Sequence, residues 1–241
     1  MDVGLSAARD RLIVALDFPS AAESLAFVSR LGGSCRWFKL GLELYCAAGN
    51  GLVDELRGRG FEVFLDLKLH DIPNTVAGAV RSVAGTGASL LTIHAGGGSA
   101  MMQAAAEAAG AIVGAPRLLA VTVLTSMDAA ELAGVGVNAS AAEQVMRLAR
   151  LARASGIDGM VCSPEEVAAL RADLGSEVML VTPGIRSAGD AVGDQRRIAT
   201  PETAIAMGAS KLVVGRPITQ AKEPAAAAQA ILEEIRRGAT R

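Results

Sequence analysis

Eight short runs of apolar, β-favouring residues recur along the 241-residue chain, and each is followed by a longer segment rich in Ala, Leu, Glu and Arg. The runs cover residues 12–16, 37–40, 62–69, 90–94, 118–124, 159–162, 178–181 and 212–215. Strands that alternate with helical segments are typical of a parallel sheet, because each parallel connection needs a crossover helix. Eight such units in a chain of this length predict an α/β fold, the (β/α)8 TIM barrel.

The chain shows no sign of division into domains. No Pro/Ser-rich linker or change in composition interrupts it, so we expect residues 1–241 to form a single domain. Two cap-then-proline patterns, at Ser163-Pro164-Glu165-Glu166 and Thr200-Pro201-Glu202, predict helix starts that follow strands; the first is also a capping box. The alternative is a doubly wound open sheet, but that fold usually has a Gly-rich turn after its first strand. Residues 15–19 (Ala-Leu-Asp-Phe-Pro) stand there instead.

Charge and composition exclude several classes of function. The net charge of -2, with acidic and basic residues mixed throughout, lacks the basic face that nucleic acid binding requires. The three cysteines (Cys35, Cys46, Cys162) are widely spaced, which predicts neither disulfides nor a zinc site and indicates a reducing compartment. No apolar stretch approaches the roughly 18 residues of a membrane span, and residues 1–6 lack a secretion signal. We therefore expect a cytoplasmic protein without membrane or nucleic acid partners.

The third run carries charges where a strand should be apolar. Period-two alternation over residues 62–70 separates two faces. One face is aliphatic (Val63, Leu65, Leu67, Leu69) and the other combines Phe64 with Asp66 and Lys68. If the aliphatic face packs on helices, Asp66 and Lys68 point into the barrel mouth. An unpaired charge there would cost several kcal/mol, so we expect these groups to be paired.

Further charges stand at the ends of neighbouring strands. The first run is followed by Asp17 and the second contains Lys39, so both should converge on the mouth with Asp66 and Lys68. A single Asp-x-Lys on a strand is more often a structural ion pair than a site. Four charges on three consecutive strand ends favour an active site, since TIM barrels place their chemistry at this end.

The seventh and eighth runs lead into Gly- and Arg-containing loops, 182–186 and 215–216, where this fold commonly binds phosphate. A Gly-Arg pair alone is a weak signal, although Gly admits an anion and Arg can bind it with two hydrogen bonds. The long polar stretch 186–197 is a candidate lid. His94 ends the fourth run and invites a general-base role, but we favour a structural role for it, and a positioning role for His70.

Residues 64–75 (Phe-Leu-Asp-Leu-Lys-Leu-His-Asp-Ile-Pro-Asn-Thr) closely resemble the signature of the orotidine 5'-phosphate decarboxylases. The similarity extends over the whole chain in length and in the order of motifs. Further matching positions are Asp17, Lys39, 124–126 (Leu-Thr-Ser), 183–186 (Pro-Gly-Ile-Arg), Gln195 and 215–216 (Gly-Arg).

The resemblance implies a role for each matching residue. Lys68 is the proton donor, flanked by Asp66 and Asp71. Asp71 and Thr75 reach the site of the partner subunit in a homodimer, and Ile72 also contacts the substrate. The implied contacts with the nucleotide substrate are Asp17 and Lys39 at the ribose, Thr125 or Ser126 at the pyrimidine, and Arg186, Gln195, Gly215 and Arg216 at the phosphate. The reaction this implies, decarboxylation to uridine 5'-phosphate, uses no metal and no other cofactor.

Three alternatives remain open. Metal-dependent sugar-phosphate decarboxylases or aldolases of the same suprafamily resemble this chain in the Asp-x-Lys-x-x-Asp motif, but they carry a Glu metal ligand where Lys39 stands. A Schiff-base aldolase needs a neutral lysine, whereas the carboxylates around Lys68 favour the ammonium. A non-catalytic phosphate-binding barrel would have no use for Lys68.

Overall fold

Eight parallel strands pair in chain order and close into a barrel in the computed structural model, which describes residues 3–187 and 198–240. The strands are β1 (Leu12–Leu16), β2 (Trp37–Gly41), β3 (Glu62–Leu69), β4 (Leu90–His94), β5 (Arg117–Val121), β6 (Gly159–Val161), β7 (Met179–Thr182) and β8 (Lys211–Val214). Because β1 pairs with both β2 and β8, the predicted TIM barrel is confirmed and the open sheet is excluded. That residues 1–241 form one domain stays a prediction.

The helices of the described residues connect the strands and cover the outside of the barrel. They are α1 (Val3–Arg11), α2 (Ala21–Arg30), α3 (Leu42–Gly58), α4 (Pro73–Ala84), α5 (Gly98–Gly110), α6 (Ala129–Gly134), α7 (Ala141–Ala154), α8 (Val167–Leu174), α9 (Pro201–Ala206), α10 (Arg216–Thr219) and α11 (Pro224–Gly238), with 3-10 helices at Ala95–Gly97 and Pro164–Glu166. Within these ranges, no helix combines the length and the apolar character that crossing a bilayer demands.

Alternation along the strands separates two apolar layers. The barrel interior holds a small cluster of buried side chains: Ile13, Ala15, Phe64, Leu90, Leu119, Val181 and Val213. Their strand neighbours, such as Val14 and Leu65, belong to the larger core between barrel and helices. On β3 the predicted faces are confirmed, since Phe64 points inward while Val63, Leu67 and Leu69 contact the outer core.

Several strand ends differ from the predicted runs. The fifth strand stops at Val121 rather than at residue 124, because residues 122–124 leave the sheet; Val123 and Leu124 are apolar for another reason, since they line a cavity. The sixth strand ends one residue early, the second ends one residue late, and the seventh and eighth are shifted by one residue. β8 begins at Lys211, which the predicted run left out because a charged residue is not expected in a buried strand. The Lys211 ammonium is in fact buried over the Trp37 ring.

Both cap-then-proline patterns lie at helix starts, as predicted. The Thr200 hydroxyl accepts a hydrogen bond from the Thr203 N–H at 3.2 Å and caps α9. At the other pattern, the Ser163 N–H donates to the Glu166 carboxylate at 2.7 Å. The first turn there is a 3-10 helix that leads into α8.

Candidate active site

A cavity of about 490 Å³ opens at the C-terminal ends of the strands. Its polar lining side chains are Asp17, Lys39, Asp66, Lys68, Thr125, Arg186, Arg216, Thr219 and Gln220. Its apolar lining comes from Ala15, Phe64, Val121, Val123, Leu124, Val161, Pro183 and Val213, with Cys162, Gly184 and Gly215 completing the wall. This volume and this mixture of polar and apolar surfaces suit a small-molecule ligand. The active sites of TIM-barrel enzymes lie at this same end of the barrel.

Four charged side chains meet in the cavity in alternating order. Lys39 Nζ lies 3.3 Å from Asp17 Oδ1 and 3.6 Å from Asp66 Oδ2. Lys68 Nζ lies 2.8 Å from Asp66 Oδ1. The side chains of Lys39 and Asp66 are only 12% and 15% exposed, so each charge needs its neighbour to offset the cost of desolvation. Removing one partner would leave the next charge in the row uncompensated.

Gly41, at the end of β2, leaves room for this row of charges. A Cβ atom at this position would lie 3.2 Å from Lys39 Nζ and 3.8 Å from Asp17 Oδ1. The first distance is tighter than an ordinary van der Waals contact, so with a larger residue the ammonium would have to shift by a few tenths of an ångström. Sequence reasoning did not single out this glycine, although its place two residues after Lys39 was a usable signal.

The third strand is irregular where it carries Asp66 and Lys68. Leu65 pairs with Leu91 and Leu69 pairs with Ile93, so three residues of β3 pass opposite a single residue of β4. Lys68 has a φ of +49°, the left-handed region that residues with a side chain rarely adopt. Among the described residues it is the one non-glycine with positive φ. Such irregular backbone concentrates at functional sites, and period-two alternation does not reveal it.

The residue of β4 opposite this bulge is Thr92, which sequence reasoning missed. Thr92 is fully buried. Its hydroxyl accepts a hydrogen bond from the Lys68 N–H at 2.8 Å and donates to Asp66 Oδ1 at 3.0 Å. The sequence did carry a signal for it. Thr92 lies two positions after the inward-facing Leu90, so alternation along the strand places this polar side chain on the inner face of the barrel.

Two arginines line the cavity at the ends of β7 and β8. Arg186 is only 7% exposed, and its Nη1 donates to the Ile185 carbonyl oxygen at 2.7 Å. Arg216 begins α10, and Thr219 and Gln220 follow it into the cavity wall. Sequence reasoning overlooked the last two, although they follow the Gly-Arg loop within one helical turn. This part of the cavity offers cationic and hydroxyl or amide groups that suit an anion.

The structure separates some of the remaining sequence-predicted residues from the cavity. Thr125 lines it, whereas Ser126 is absent from its lining. Gln195 and most of the proposed lid lie outside the described residues. The chain segments before and after that gap are hydrogen-bonded to each other, since the Arg186 N–H donates to the Ala199 carbonyl oxygen at 3.0 Å.

The segment 70–75 after β3 lies on the surface. All six residues are exposed, and Ile72 retains 66% of its surface. Asp71 Oδ1 accepts a hydrogen bond from the Ile72 N–H at 2.6 Å. Asp71, Ile72 and Thr75 are absent from the lining of their own chain's cavity. These residues are therefore available to a neighbouring molecule.

The two histidines stack on each other beside the site. Their ring centroids are 5.2 Å apart at an interplanar angle of 16°. Burial lowers the pKa of His94, and the nearby His70 and Lys68 lower it further. The His94 Nδ1 accepts a hydrogen bond from the Gly96 N–H at 3.2 Å, which a neutral ring allows. His94 is not among the residues that line the cavity, and its structural role stays a prediction.

Comparisons with known proteins agree on one family. Residues 10–231 match the family model described as "Orotidine 5'-phosphate decarboxylase / HUMPS family". The orotidine 5'-phosphate decarboxylase of Halorhodospira halophila is 56% identical over 225 residues, covering 93% of this chain and 95% of the relative. That of Chromobacterium violaceum is 51% identical over 233 residues, covering 96% and 94%.

A solved structure carries the same name. The crystal structure of orotidine 5'-phosphate decarboxylase from Lactobacillus acidophilus superposes with a TM-score of 0.84 at 41% identity, covering 94% of this chain and 99% of that one. The similarity thus extends over the whole barrel, including the strands that carry the row of charges. The chain therefore belongs to the orotidine 5'-phosphate decarboxylase / HUMPS family.

Proposed function

We propose that this chain decarboxylates orotidine 5'-phosphate to uridine 5'-phosphate, the reaction named for its relatives. The observation that carries the proposal is the alternating row of Asp17, Lys39, Asp66 and Lys68 in the barrel mouth. Such a row places ammonium groups, each paired with a carboxylate, in a cavity that also has apolar walls, and a positioned cation is what a developing carbanion requires.

Lys68 acts as both cation and acid in this mechanism. When the bond between C6 and the carboxylate breaks, CO2 leaves and its bonding electron pair stays on C6, where no carbonyl or imine can accept it. The Lys68 ammonium stabilises that charge and then transfers a proton to C6, ending as a neutral amine. Its side chain is 33% exposed and its Nζ is held 2.8 Å from Asp66 Oδ1, so it is both accessible and oriented.

Asp66 holds the Lys68 ammonium in place before the reaction, through the 2.8 Å ion pair between Asp66 Oδ1 and Lys68 Nζ. We assign the same task to Asp71 of the partner subunit. Proximity of Asp66 to the substrate carboxylate would also destabilise the bound substrate. We rank that contribution below carbanion stabilisation, because the ammonium acts directly on the charge that forms.

The rest of the cavity holds the nucleotide. We assign the ribose hydroxyls to Asp17 and Lys39, and the pyrimidine edge to Thr125 in preference to Ser126, because only Thr125 lines the cavity. The proposed phosphate ligands are Arg186, Gln195, Gly215 and Arg216. Binding the phosphate far from the reacting bond lets its binding energy position the pyrimidine against Lys68 and close the proposed lid.

We propose a homodimer in which each subunit completes the other's site. The support is the exposed segment 70–75, whose Ile72 presents a large apolar side chain to solvent. Asp71, Ile72 and Thr75 would then approach the partner's Lys68. A cytoplasmic location completes the proposal, and the three free cysteines agree with a reducing compartment.

We further propose that the reaction needs no metal or other cofactor. Lys39 lies between Asp17 and Asp66, so the carboxylates of the mouth are already neutralised by ammonium groups. A divalent cation at this place would be repelled by Lys39 and Lys68. This arrangement disfavours the metal-dependent sugar-phosphate enzymes.

The direct test is a spectrophotometric assay of the purified protein with orotidine 5'-phosphate. We expect loss of the orotate absorbance, formation of uridine 5'-phosphate, and unchanged rates after exhaustive EDTA treatment. Absence of turnover would refute the proposed reaction. Activity that returns only with Mg²⁺ or Mn²⁺ would favour the metal-dependent enzymes instead.

A further inference from the structure

Thr92 contacts both Lys68 and Asp66 of the proposed site through a single hydroxyl group. It stands in the middle of β4 between the buried Leu91 and Ile93, and it is itself fully buried. A buried hydroxyl is costly unless its hydrogen-bonding capacity is used. Thr92 uses both sides of it, accepting from the Lys68 N–H and donating to the Asp66 carboxylate.

The first of these contacts supports an unusual backbone. Three residues of β3, 66–68, pass opposite Thr92 alone, so the regular ladder between β3 and β4 is interrupted there. In this bulge Lys68 takes its φ of +49°, a conformation that persists only where the surroundings hold it. The 2.8 Å hydrogen bond from the Lys68 N–H to Thr92 Oγ1 is such a restraint.

The second contact orients a carboxylate that two lysines share. Asp66 Oδ1 accepts hydrogen bonds from Thr92 Oγ1 at 3.0 Å and from Lys68 Nζ at 2.8 Å. Its other oxygen lies 3.6 Å from Lys39 Nζ. Because the threonine occupies one direction at Oδ1, the carboxylate is held with one oxygen toward each lysine.

From these contacts we infer that Thr92 is a positioning residue for the decarboxylation: its hydroxyl fixes the Lys68 backbone and the Asp66 carboxylate together. This inference rests on the proposed function. Thr92 does not line the cavity, so it acts on the substrate only through those two residues. A valine has nearly the same shape but can neither donate nor accept, whereas a serine keeps the hydroxyl.

The test compares Thr92→Val and Thr92→Ser with a matched control, Thr122→Val. Thr122 is a buried threonine just after β5 whose hydroxyl donates to the Val161 carbonyl oxygen rather than to a charged side chain. We expect Thr92→Val to lower kcat by about 10-fold to 100-fold, since it removes a hydrogen bond to a charged carboxylate and the restraint on the Lys68 backbone. KM and the Kd of uridine 5'-phosphate should change by less than about threefold, because the ribose and phosphate contacts remain.

Thr92→Ser should recover kcat to within about threefold of wild type, and Thr122→Val should leave it unchanged. A crystal structure of Thr92→Val should show Lys68 out of the positive-φ region or Asp66 rotated. If the valine variant does not fold, Thr92→Ala carries the same expectations, since it removes the hydroxyl without adding a methyl group in its place.

The inference is overturned if wild type turns over substrate and Thr92→Val keeps kcat within about threefold, or if Thr92→Ser and Thr122→Val lose as much as Thr92→Val. Absence of turnover in wild type is a different result, because it overturns the proposed function and the inference with it. The wild-type assay therefore separates the two failures.

Discussion

The mouth of the barrel and its N-terminal end both carry charged side chains, but the surroundings of their lysines differ. At the mouth, Lys68 is 33% exposed and Asp17 is 64% exposed, and both line the open cavity. At the N-terminal end, Lys211 is only 8% exposed. Its ammonium lies 3.8 Å from the centroid of the Trp37 ring and donates to the Asp10 carbonyl oxygen. The first lysine is available to a ligand, and the second is already satisfied by the protein.

The carboxylates at the N-terminal end are satisfied in the same way. Glu62 lies 2.5 Å from the Arg57 guanidinium and 3.3 Å from that of Arg36. Burial raises the pKa of Glu62, but hydrogen bonding from Ser89 and the two arginines outweigh it and hold the pKa below its usual range. The contrast teaches that substitutions at the mouth should change activity, whereas those at the N-terminal end should change stability.

Lys68→Ala tests the mouth most severely. We expect kcat to fall roughly 100-fold to 10,000-fold, the usual contribution of a general acid, while the protein folds and still binds uridine 5'-phosphate. Steady-state kinetics and calorimetric titration measure the two effects. A variant that retains more than about a tenth of kcat, a loss under roughly 1.4 kcal/mol, would show that Lys68 is not the proton donor.

Mixing two inactive variants tests whether the mouth is shared between subunits. Lys68→Ala and Asp71→Ala subunits should form heterodimers in which one site lacks both groups and the other keeps both. With random exchange at equal amounts, about half of the dimers are mixed, so activity should return to roughly a quarter of wild type. Demonstrated subunit exchange without any recovery would place Asp71 in its own chain's site.

Arg216→Ala tests the phosphate end of the mouth. We expect kcat/KM for orotidine 5'-phosphate to fall about 10-fold to 100-fold, because a charge-assisted contact is lost. The slower reaction of the nucleoside orotidine should change by less than about twofold. Arg236→Ala, at an exposed arginine of α11, is the matched control and should alter neither rate. Equal losses on both substrates would mean that Arg216 does not bind the phosphate.

Lys211→Met tests the N-terminal end, where we expect an effect on stability alone. Burial lowers the pKa of Lys211 to about 8 from the usual 10.5. The unfolded chain therefore binds more protons between these values, so the lysine opposes folding below pH 8 and this penalty fades as the pH rises toward 10.5. Replacing the lysine removes that pH dependence.

The measurement is urea unfolding of wild type and Lys211→Met at pH 7 and pH 10, with kcat followed in parallel. The wild type should gain about 2 kcal/mol relative to the variant over this interval, and kcat should not differ. Relative to Lys222→Met, a change at an exposed lysine that leaves Lys211 in place, the wild type should show no such gain. A pH-independent difference between wild type and Lys211→Met would show that Lys211 is not buried in its charged form.

Much of this molecule could be predicted from residue patterns. The eight runs led to the barrel because alternation and length encode strand faces and crossovers locally. Asp17, Lys39, Asp66 and Lys68 were identifiable since a charge at the end of an apolar strand is unusual in any parallel sheet. The end of β5 was placed three residues too late because the residues that line the cavity are as apolar as a strand.

Other features depend on contacts between distant parts of the chain, and only the tertiary structure decided them. The bulge of β3, the positive φ of Lys68 and the position of Thr92 follow from the pairing of β3 with β4, which a pattern within one strand does not encode. Thr219 enters the cavity wall because α10 follows β8 across the mouth. The sequence by itself determined which residues are polar at strand ends, and closure of the barrel determined which of them meet. The physical reason is that side-chain alternation is a local property, whereas register and closure arise from backbone hydrogen bonds between strands that are distant in the chain.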